Sequence, residues 1–443
     1  MNTFTGQDLI DAGYKPGPYF KNMLDEANRG GYINKDVLDR LLPPEPLKLK
    51  GLYEAPFGVF MDAETEDEED NIDKVTDTMY ELMKTPVLHD GAVMPDACLA
   101  GPLGTIPVGG VVSSDHIHPG MHSADVCCSV MISIYDDVSP KDMLNTVHRR
   151  THFGWGGRGD TTLPMSLQRL IDENHFTSNF MGLAHTHLGT QGDGNHFAYV
   201  GTMESTGKTA LVTHHGSRGF GAQVFRKAMT VAEGYRRNLS PETLKQNAWI
   251  PHDTYDGEQY WKALQIIREW TKCNHITIHE AGEHYNKLVN RYWNEHNFVF
   301  RKSDGLFYHG KGATPAFENW AEDATRRTII PLNMAEPILI VEGLNNPASL
   351  GFSPHGAGRN FSRSEHRRRG MGDFEKETEG LDIRFYSGNP DPTELPSGYK
   401  NADSVIRQIE KFGLAKIVDK VLPYGCIMAG DVEKDAPWRK KGK

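Results

Sequence analysis

The chain has 443 residues, is 38% hydrophobic and 24% charged, and carries a formal net charge of −11. That length allows a large core and two or three domains. The acidity excludes an overall basic coat for nucleic acid but leaves room for a local basic groove. No apolar run reaches the roughly 18 residues of a membrane span, and no basic segment followed by an apolar one opens the chain. Five cysteines, two of them adjacent, fit a reducing cytosol better than a disulfide framework, so a cytoplasmic protein is expected.

Residues 1–30 read as partly helical, entered through the stiff turn Lys15-Pro16-Gly17-Pro18. The acidic block from Met61 to Asp70 reads as a solvated loop or a helix start, a face that repels phosphate. From Val108 to Tyr135, β-branched residues and glycines alternate with turn signals, which predicts strands with functional loops at their ends. Leu211-Val212-Thr213 and Ile338-Leu339-Ile340-Val341 read as buried strands. Residues 221–247 and 257–295 read as helices, and 401–420 as a helical run before a short C-terminal strand. No linker or repeat divides the motifs between 125 and 363, so one continuous α/β or α+β domain is expected.

Twenty histidines are many, and three sites lie in glycine-rich turns: Gly194-Asn195-His196-Phe197, His214 to Gly219, and His355 to Arg359. Glycine lets a backbone come close to a ligand. In Asp125-Val126-Cys127-Cys128, Asp125 and Cys128 are placed to converge on one ion, and thiolate with carboxylate suits Mn²⁺ or Zn²⁺ more than Mg²⁺. Alone, the segment reads equally as a buried strand with inert cysteines. Asp125, Cys128, His196, His214 and His296 together make a candidate site for one or two metals, with the imidazoles neutral.

His355 is followed by Gly356, Ala357 and Gly358, then by Arg359 and Arg363. That pattern suits a histidine attacking phosphorus: small residues admit phosphate oxygens, arginines hold the phosphorylated substrate, and imidazole can form a phosphoramidate. The bland alternative is a turn histidine with solvated arginines. Arg359, Arg363, Arg367, Arg368 and Arg369 form a basic run in an otherwise acidic chain, which favours contact with a phosphate backbone.

These segments resemble the RtcB-type RNA-splicing and RNA-repair ligases, as a divergent member, from about Met94 to Gly430. The resemblance is carried by Met94-Pro95-Asp96, Asp125 to Cys128, His187 to Phe197, His214 to Gly219, His296 to Val299, Lys311 to Thr314, Ile330-Pro331, His355 to Arg363 and Tyr399-Lys400. It implies a single large domain of mixed sheets surrounded by helices. This domain would span 51–430, with a helical extension at 1–50 packed on it and a basic tail at 431–443.

The resemblance also implies roles. Asp125, Cys128, His196, His214 and His296 would bind one or two manganese ions, with Cys128 able to bridge two. His355 would take GMP from GTP. Asn195, Phe197, Asn333, Gly356, Ala357 and Gly358 would hold the nucleotide, and Arg218, Arg359 and Arg363 the RNA or phosphate. The implied partners are GTP and RNA with a 3′-phosphate or 2′,3′-cyclic phosphate and a 5′-hydroxyl; no membrane is implied, and the sequence names no activating protein.

Several positions depart from the family pattern. Cys127 replaces a glycine, and Cys98 a histidine. Tyr199 replaces a glutamate, Leu332-Asn333 a Gly-Ser pair, and Gly310 an arginine. Ala429 stands where a base-contacting lysine is usual. These changes fall mainly around the base, which puts strict guanine selection in doubt more than metal binding or His355 chemistry. Two other functions stay open at this point: RNA end processing or end capping without sealing, and a non-catalytic RNA-binding paralogue.

Overall fold

The computed structural model describes residues 3–42, 45–154, 156–281, 284–370 and 372–431. The tail expected beyond 431 lies outside the described residues. Three short helices come first: α1 (Gly6–Asp11), α2 (Phe20–Gly30) and α3 (Lys35–Leu38). Leu9, Tyr14, Met23 and Leu38 give them a small apolar cluster of their own. After β1 (Phe57–Val59) comes α4 (Glu66–Leu82), so the acidic block is a helix start. The Thr65 side chain accepts from the Glu68 amide, and four acids in the first turn complement the helix dipole. Asp67 also pairs with Arg369 at 2.8 Å, so this face meets a cation of its own chain.

The remaining strands are β2 (Leu88–Cys98), β3 (Val108–Ser114), β4 (Ser129–Tyr135), β5 (Phe197–Met203), β6 (Thr209–His215), β7 (Leu288–Glu295), β8 (Asn297–Arg301), β9 (Phe307–Lys311), β10 (Ala313–Pro315), β11 (Arg327–Ile330), β12 (Ile338–Gly343), β13 (Phe352–Pro354), β14 (Asp382–Phe385) and β15 (Ala415–Met428). The remaining helices are α5 (Pro140–Arg150), α6 (Met165–Glu173), α7 (Met181–Thr186), α8 (Arg218–Leu239), α9 (Tyr255–His279), α10 (Arg363–Arg369), α11 (Phe374–Glu377) and α12 (Ala402–Lys411). One sheet runs β1-β2-β3-β9-β8. The larger runs β11-β12-β15-β5-β6-β4-β7, with β14 beside β15, and β10 pairs β13. Mixed sheets with helices around them match the expected α/β (α+β) class.

β4 and β6 are buried along their whole length, which explains their nearly continuous apolar runs. On α8, Phe220, Val224, Ala228 and Ala232 recur every four residues and join the core that holds Tyr260, Leu264, Ile267 and Trp270 of α9.

Three expected boundaries shift. The helix expected over 221–247 ends at Leu239, where Ser240 and Pro241 break it. The helix expected over 257–295 ends at His279, and residues 288–295 are the edge strand β7 against β4. Its Val289, Tyr292 and Trp293 are strand-favouring residue types, which the longer helical reading overrode. The run expected over 401–420 is helical only to Lys411. Gly413 takes a left-handed turn (φ +59°), and β15 then spans 14 residues instead of a short strand.

Antiparallel register gathers the site. Ser129 at the start of β4 pairs with His215 at the end of β6 and with Glu295 at the end of β7. Phe197 at the start of β5 pairs with His214. Asp125, Asn195, His214 and His296 therefore lie together at one end of these strands. Only His296 separates β7 from β8, so it marks the crossing between the two sheets.

Candidate active site and metal centre

The five expected metal ligands converge. Cys128 Sγ lies 3.2 Å from His214 Nε2 and 3.5 Å from His196 Nε2. His196 Nε2 is 3.0 Å from Asp125 Oδ2, and His214 Nε2 is 3.2 Å from His296 Nε2. They form two overlapping groups, Cys128-His214-His296 and Asp125-Cys128-His196, which share Cys128. A close approach makes this possible: a Cβ on Gly216 would lie 2.0 Å from Asp125 Oδ1.

The donor chemistry fits a cation. His214 Nδ1 donates to the Asn195 carbonyl at 3.1 Å, a tautomer assigned from the hydrogen-bond network that leaves Nε2 bare toward Cys128 and His296. Burial, then the neighbouring His196 and His355, hold His214 down to about 3, so its ring is neutral near pH 7. Burial likewise pushes His296 well below its usual range. Burial raises the Asp125 carboxyl, but His196 and the hydrogen bonds from His196 and Cys128 outweigh it and bring it down to about 2. The Cys128 thiol is pushed up by burial and by Asp125, so a bound cation must displace its proton. A thiolate, three imidazoles and a carboxylate suit a borderline ion such as Mn²⁺ or Zn²⁺.

His355 stands beside this cluster, its ring centroid 4.9 Å from that of His296. Its Nδ1 is 2.5 Å from Oδ2 of the fully buried Asp96, and the same oxygen accepts from the His355 and Gly356 amides at 3.0 and 3.3 Å. Nδ1 therefore carries the proton, and Nε2 keeps its lone pair. Gly358 has φ +72°, and a Cβ there would lie 2.0 Å from the Asp96 carbonyl, so the turn admits only glycine. Sequence reasoning quoted Met94-Pro95-Asp96 but gave Asp96 no role. Lys400, quoted only within Tyr399-Lys400, donates to the Pro95 and Ala97 carbonyls at 2.9 and 3.0 Å and so clamps both sides of Asp96. Asn297 was also missed. Its Nδ2 donates to the Asp125 carbonyl at 3.3 Å, and its Oδ1 accepts from Gly312 at 2.7 Å. The available signal was a charged or amide residue inside each apolar motif.

His355 opens into a cavity of about 190 Å³. Asn195, Phe197, Asn333, Gly356, Ala357 and Gly358 all line it, so the six expected nucleotide contacts lie in one place. The arginines are more committed than their sequence suggests. Arg359 pairs with Glu394 at 2.9 Å and lies 4.3 Å from the Tyr399 ring centre, and Arg363 pairs with Glu394 at 2.8 Å. Arg218 is mostly buried and donates to the Gly154 carbonyl at 2.6 Å and to Thr190 Oγ1 at 3.3 Å. Arg367, Arg368 and Arg369 face Asp391, Glu365 and Asp67. Each cation in the run already has a carboxylate.

A sequence model of the family described as tRNA-splicing ligase RtcB matches residues 165–429, more than half of the chain. The chain belongs to the RtcB family. It is similar to the tRNA-splicing ligase RtcB of Thermococcus kodakarensis, 25% identical over 404 residues, covering 72% of this chain and 84% of that protein. It is 27% identical over 285 residues to the Archaeoglobus fulgidus protein of the same name, covering 54% of this chain and 58% of that one. The match to the Pyrococcus abyssi RtcB is 26% over 282 residues, covering 54% of this chain but only 31% of that longer protein.

Of the departures from the RtcB pattern, Tyr199, Leu332 and Asn333 fall on one side of the cavity, while Cys127, Gly310 and Ala429 do not line it. Met334, Cys426 and Met428 line that side too, with Phe197. The Tyr199 hydroxyl is turned away from any base, donating to the Val421 and Glu336 carbonyls at 3.1 and 3.3 Å. Ala429 is buried beyond Met428. Cys98 also lines the cavity. No helix among the described residues is long and apolar enough to cross a membrane.

Proposed function

We propose that this protein is an RNA ligase or RNA-repair enzyme. It would join RNA 3′-phosphate or 2′,3′-cyclic phosphate ends to 5′-hydroxyl ends through a histidine–GMP intermediate. The observation that carries this reading is His355. Its Nδ1 is locked on Asp96, so Nε2 is left as a nucleophile beside a bridged donor cluster and at the wall of the cavity. The names of the relatives support the same reading.

Asp125, Cys128, His196, His214 and His296 would hold one or two manganese ions. When bound, the metal supplies Lewis-acid polarisation of phosphoryl oxygens. His355 Nε2 attacks the α-phosphorus of GTP; the N–P bond forms, and the bond to pyrophosphate breaks. Asp96 holds the Nδ1 proton and steadies the charge that grows on the ring. Where the RNA ends in a 2′,3′-cyclic phosphate, water first opens the ring to a 2′-hydroxyl and a 3′-phosphate; an oxygen of the 3′-phosphate then attacks the phosphorus on His355 and breaks the N–P bond. Attack by the 5′-hydroxyl on the activated RNA phosphate finally displaces GMP.

Asn195, Phe197, Asn333 and Gly356 to Gly358 surround the nucleotide. Arg218, Arg359 and Arg363 would hold RNA or phosphate, which requires Arg359 and Arg363 to exchange Glu394, and Arg218 the Gly154 carbonyl, for phosphate oxygens. The proposal treats 51–430 as the catalytic unit, with 1–50 packed on it, working in the cytoplasm.

The test supplies one RNA strand ending in a 3′-phosphate, a second beginning with a 5′-hydroxyl, Mn²⁺ and GTP. The wild type should yield the joined strand, and His355→Ala should not. Accumulation of nucleotidylated ends without joining would replace ligation by end capping.

A further inference from the structure

A second set of ligand-type side chains lies outside the cleft. His116 follows β3, and His252 and Asp253 occupy the turn before α9. One nitrogen of each imidazole and a carboxylate oxygen of Asp253 lie within 4.8 Å of one another. None of the three lines the cavity or belongs to the Cys128 groups. Tetrahedral zinc at Zn–N distances of about 2.0–2.1 Å needs donors roughly 3.3 Å apart, so modest side-chain rotation closes the set.

Two features hold the trio in place. Ile117 and Ile250, both fully buried, form an isolated antiparallel bridge, with amide-to-carbonyl distances of 2.9 and 3.3 Å. The bridge fixes His116 and His252 within two residues of a rigid point. The rings are also packed. His116 lies nearly parallel to Trp249 (9° between planes, centroids 6.3 Å apart), and His252 lies 5.3 Å from Phe307.

A further observation points to a ligand. His116 Nδ1 and His252 Nδ1 are both buried and without a hydrogen-bond partner, an arrangement a folded protein normally avoids. Asp115, the neighbouring acid, is taken up by His89 at 2.8 Å, while Asp253 remains exposed. Two imidazoles and one carboxylate are a donor set for zinc or a similar borderline divalent ion, with a fourth position left for water.

We propose that His116, His252 and Asp253 bind a divalent cation of the zinc class that clips the loop after β3 to the start of α9. The site is independent of the catalytic centre.

The full chain, stripped with a chelator, is titrated with Zn²⁺ alone, and bound zinc is counted after dialysis. His252→Asn should bind one equivalent fewer than wild type, and Asp253→Asn should bind that equivalent more weakly. Asp253 is exposed and His252 is a half-buried turn residue replaced by a smaller polar one, so folding is expected to survive, checked by circular dichroism. In a Cys128→Ala background, zinc should still raise the melting temperature, and adding His252→Asn should abolish that rise. Equal zinc stoichiometry in wild type and His252→Asn would overturn the proposal, as would a Cys128→Ala chain whose melting temperature ignores zinc.

Discussion

The two ends of the cleft are built differently. At the His355 end the polar groups around the nucleophile candidate hold one another in place. Asp96 holds Nδ1, Lys400 holds the Asp96 loop, Asn195 orients His214, and Cys128 joins two donor groups. At the proposed base end the walls are Phe197, Tyr199, Leu332, Asn333, Met334, Cys426 and Met428, and the Tyr199 hydroxyl is used up on backbone carbonyls. Phosphorus chemistry demands donors fixed to fractions of an ångström. A base can be held by apolar contact alone, and then little distinguishes one purine from another.

The largest effect should come from His355→Ala, which removes the proposed nucleophile. Nucleotide transfer should fall on the order of 10⁴-fold or more in a labelling assay, with the fold intact by circular dichroism. Asp96→Asn keeps the shape but lets the ring adopt the wrong tautomer. We expect a fall of roughly 10²–10⁴-fold in kcat with KM little changed, measured across pH. A KM effect alone would make Asp96 merely structural.

At the proposed base end, the wild type should label with ATP within about tenfold of GTP, because the lining is mainly apolar and Asn333, its polar member, has its Oδ1 taken by the Ala335 and Glu336 amides. Discrimination beyond about 100-fold would show that the apolar end reads the base after all.

The smallest expected effect is on stability. Burial holds His118 at about 3 and His122 and His187 at about 4, below the ordinary value of about 6.5. Between those values the unfolded chain binds protons that the folded one refuses. Stability should therefore be full above about pH 6.5 and decline steadily as pH falls toward 3–4. Urea unfolding of the metal-free protein at several pH values measures this; a flat profile from pH 7 to 4 would contradict it.

The motifs were legible because glycine next to histidine and arginine is uncommon without a reason, and because their order along the chain is distinctive. Their convergence was not legible. It depends on antiparallel register, such as Ser129 opposite both His215 and Glu295, which no single segment contains. The true ends of α9 and α12 were hidden because β7 and β15 continue apolar patterns that a helix also tolerates. Asp96 and Lys400 looked ordinary because their partners are 259 and 303 to 305 residues away. The arginine run promised a free cationic surface, yet each guanidinium is matched by an acid distant or near, from Asp67 to Asp391. Charge matching of this kind is a property of the folded surface.

The most direct test of the central claim is to incubate the folded, Mn²⁺-loaded protein with α-labelled GTP or ATP and map the label. An acid-labile nucleotide on His355, absent from His355→Ala, is the predicted result. Folded protein that takes no label from any nucleotide, or carries it on a lysine, would contradict the account.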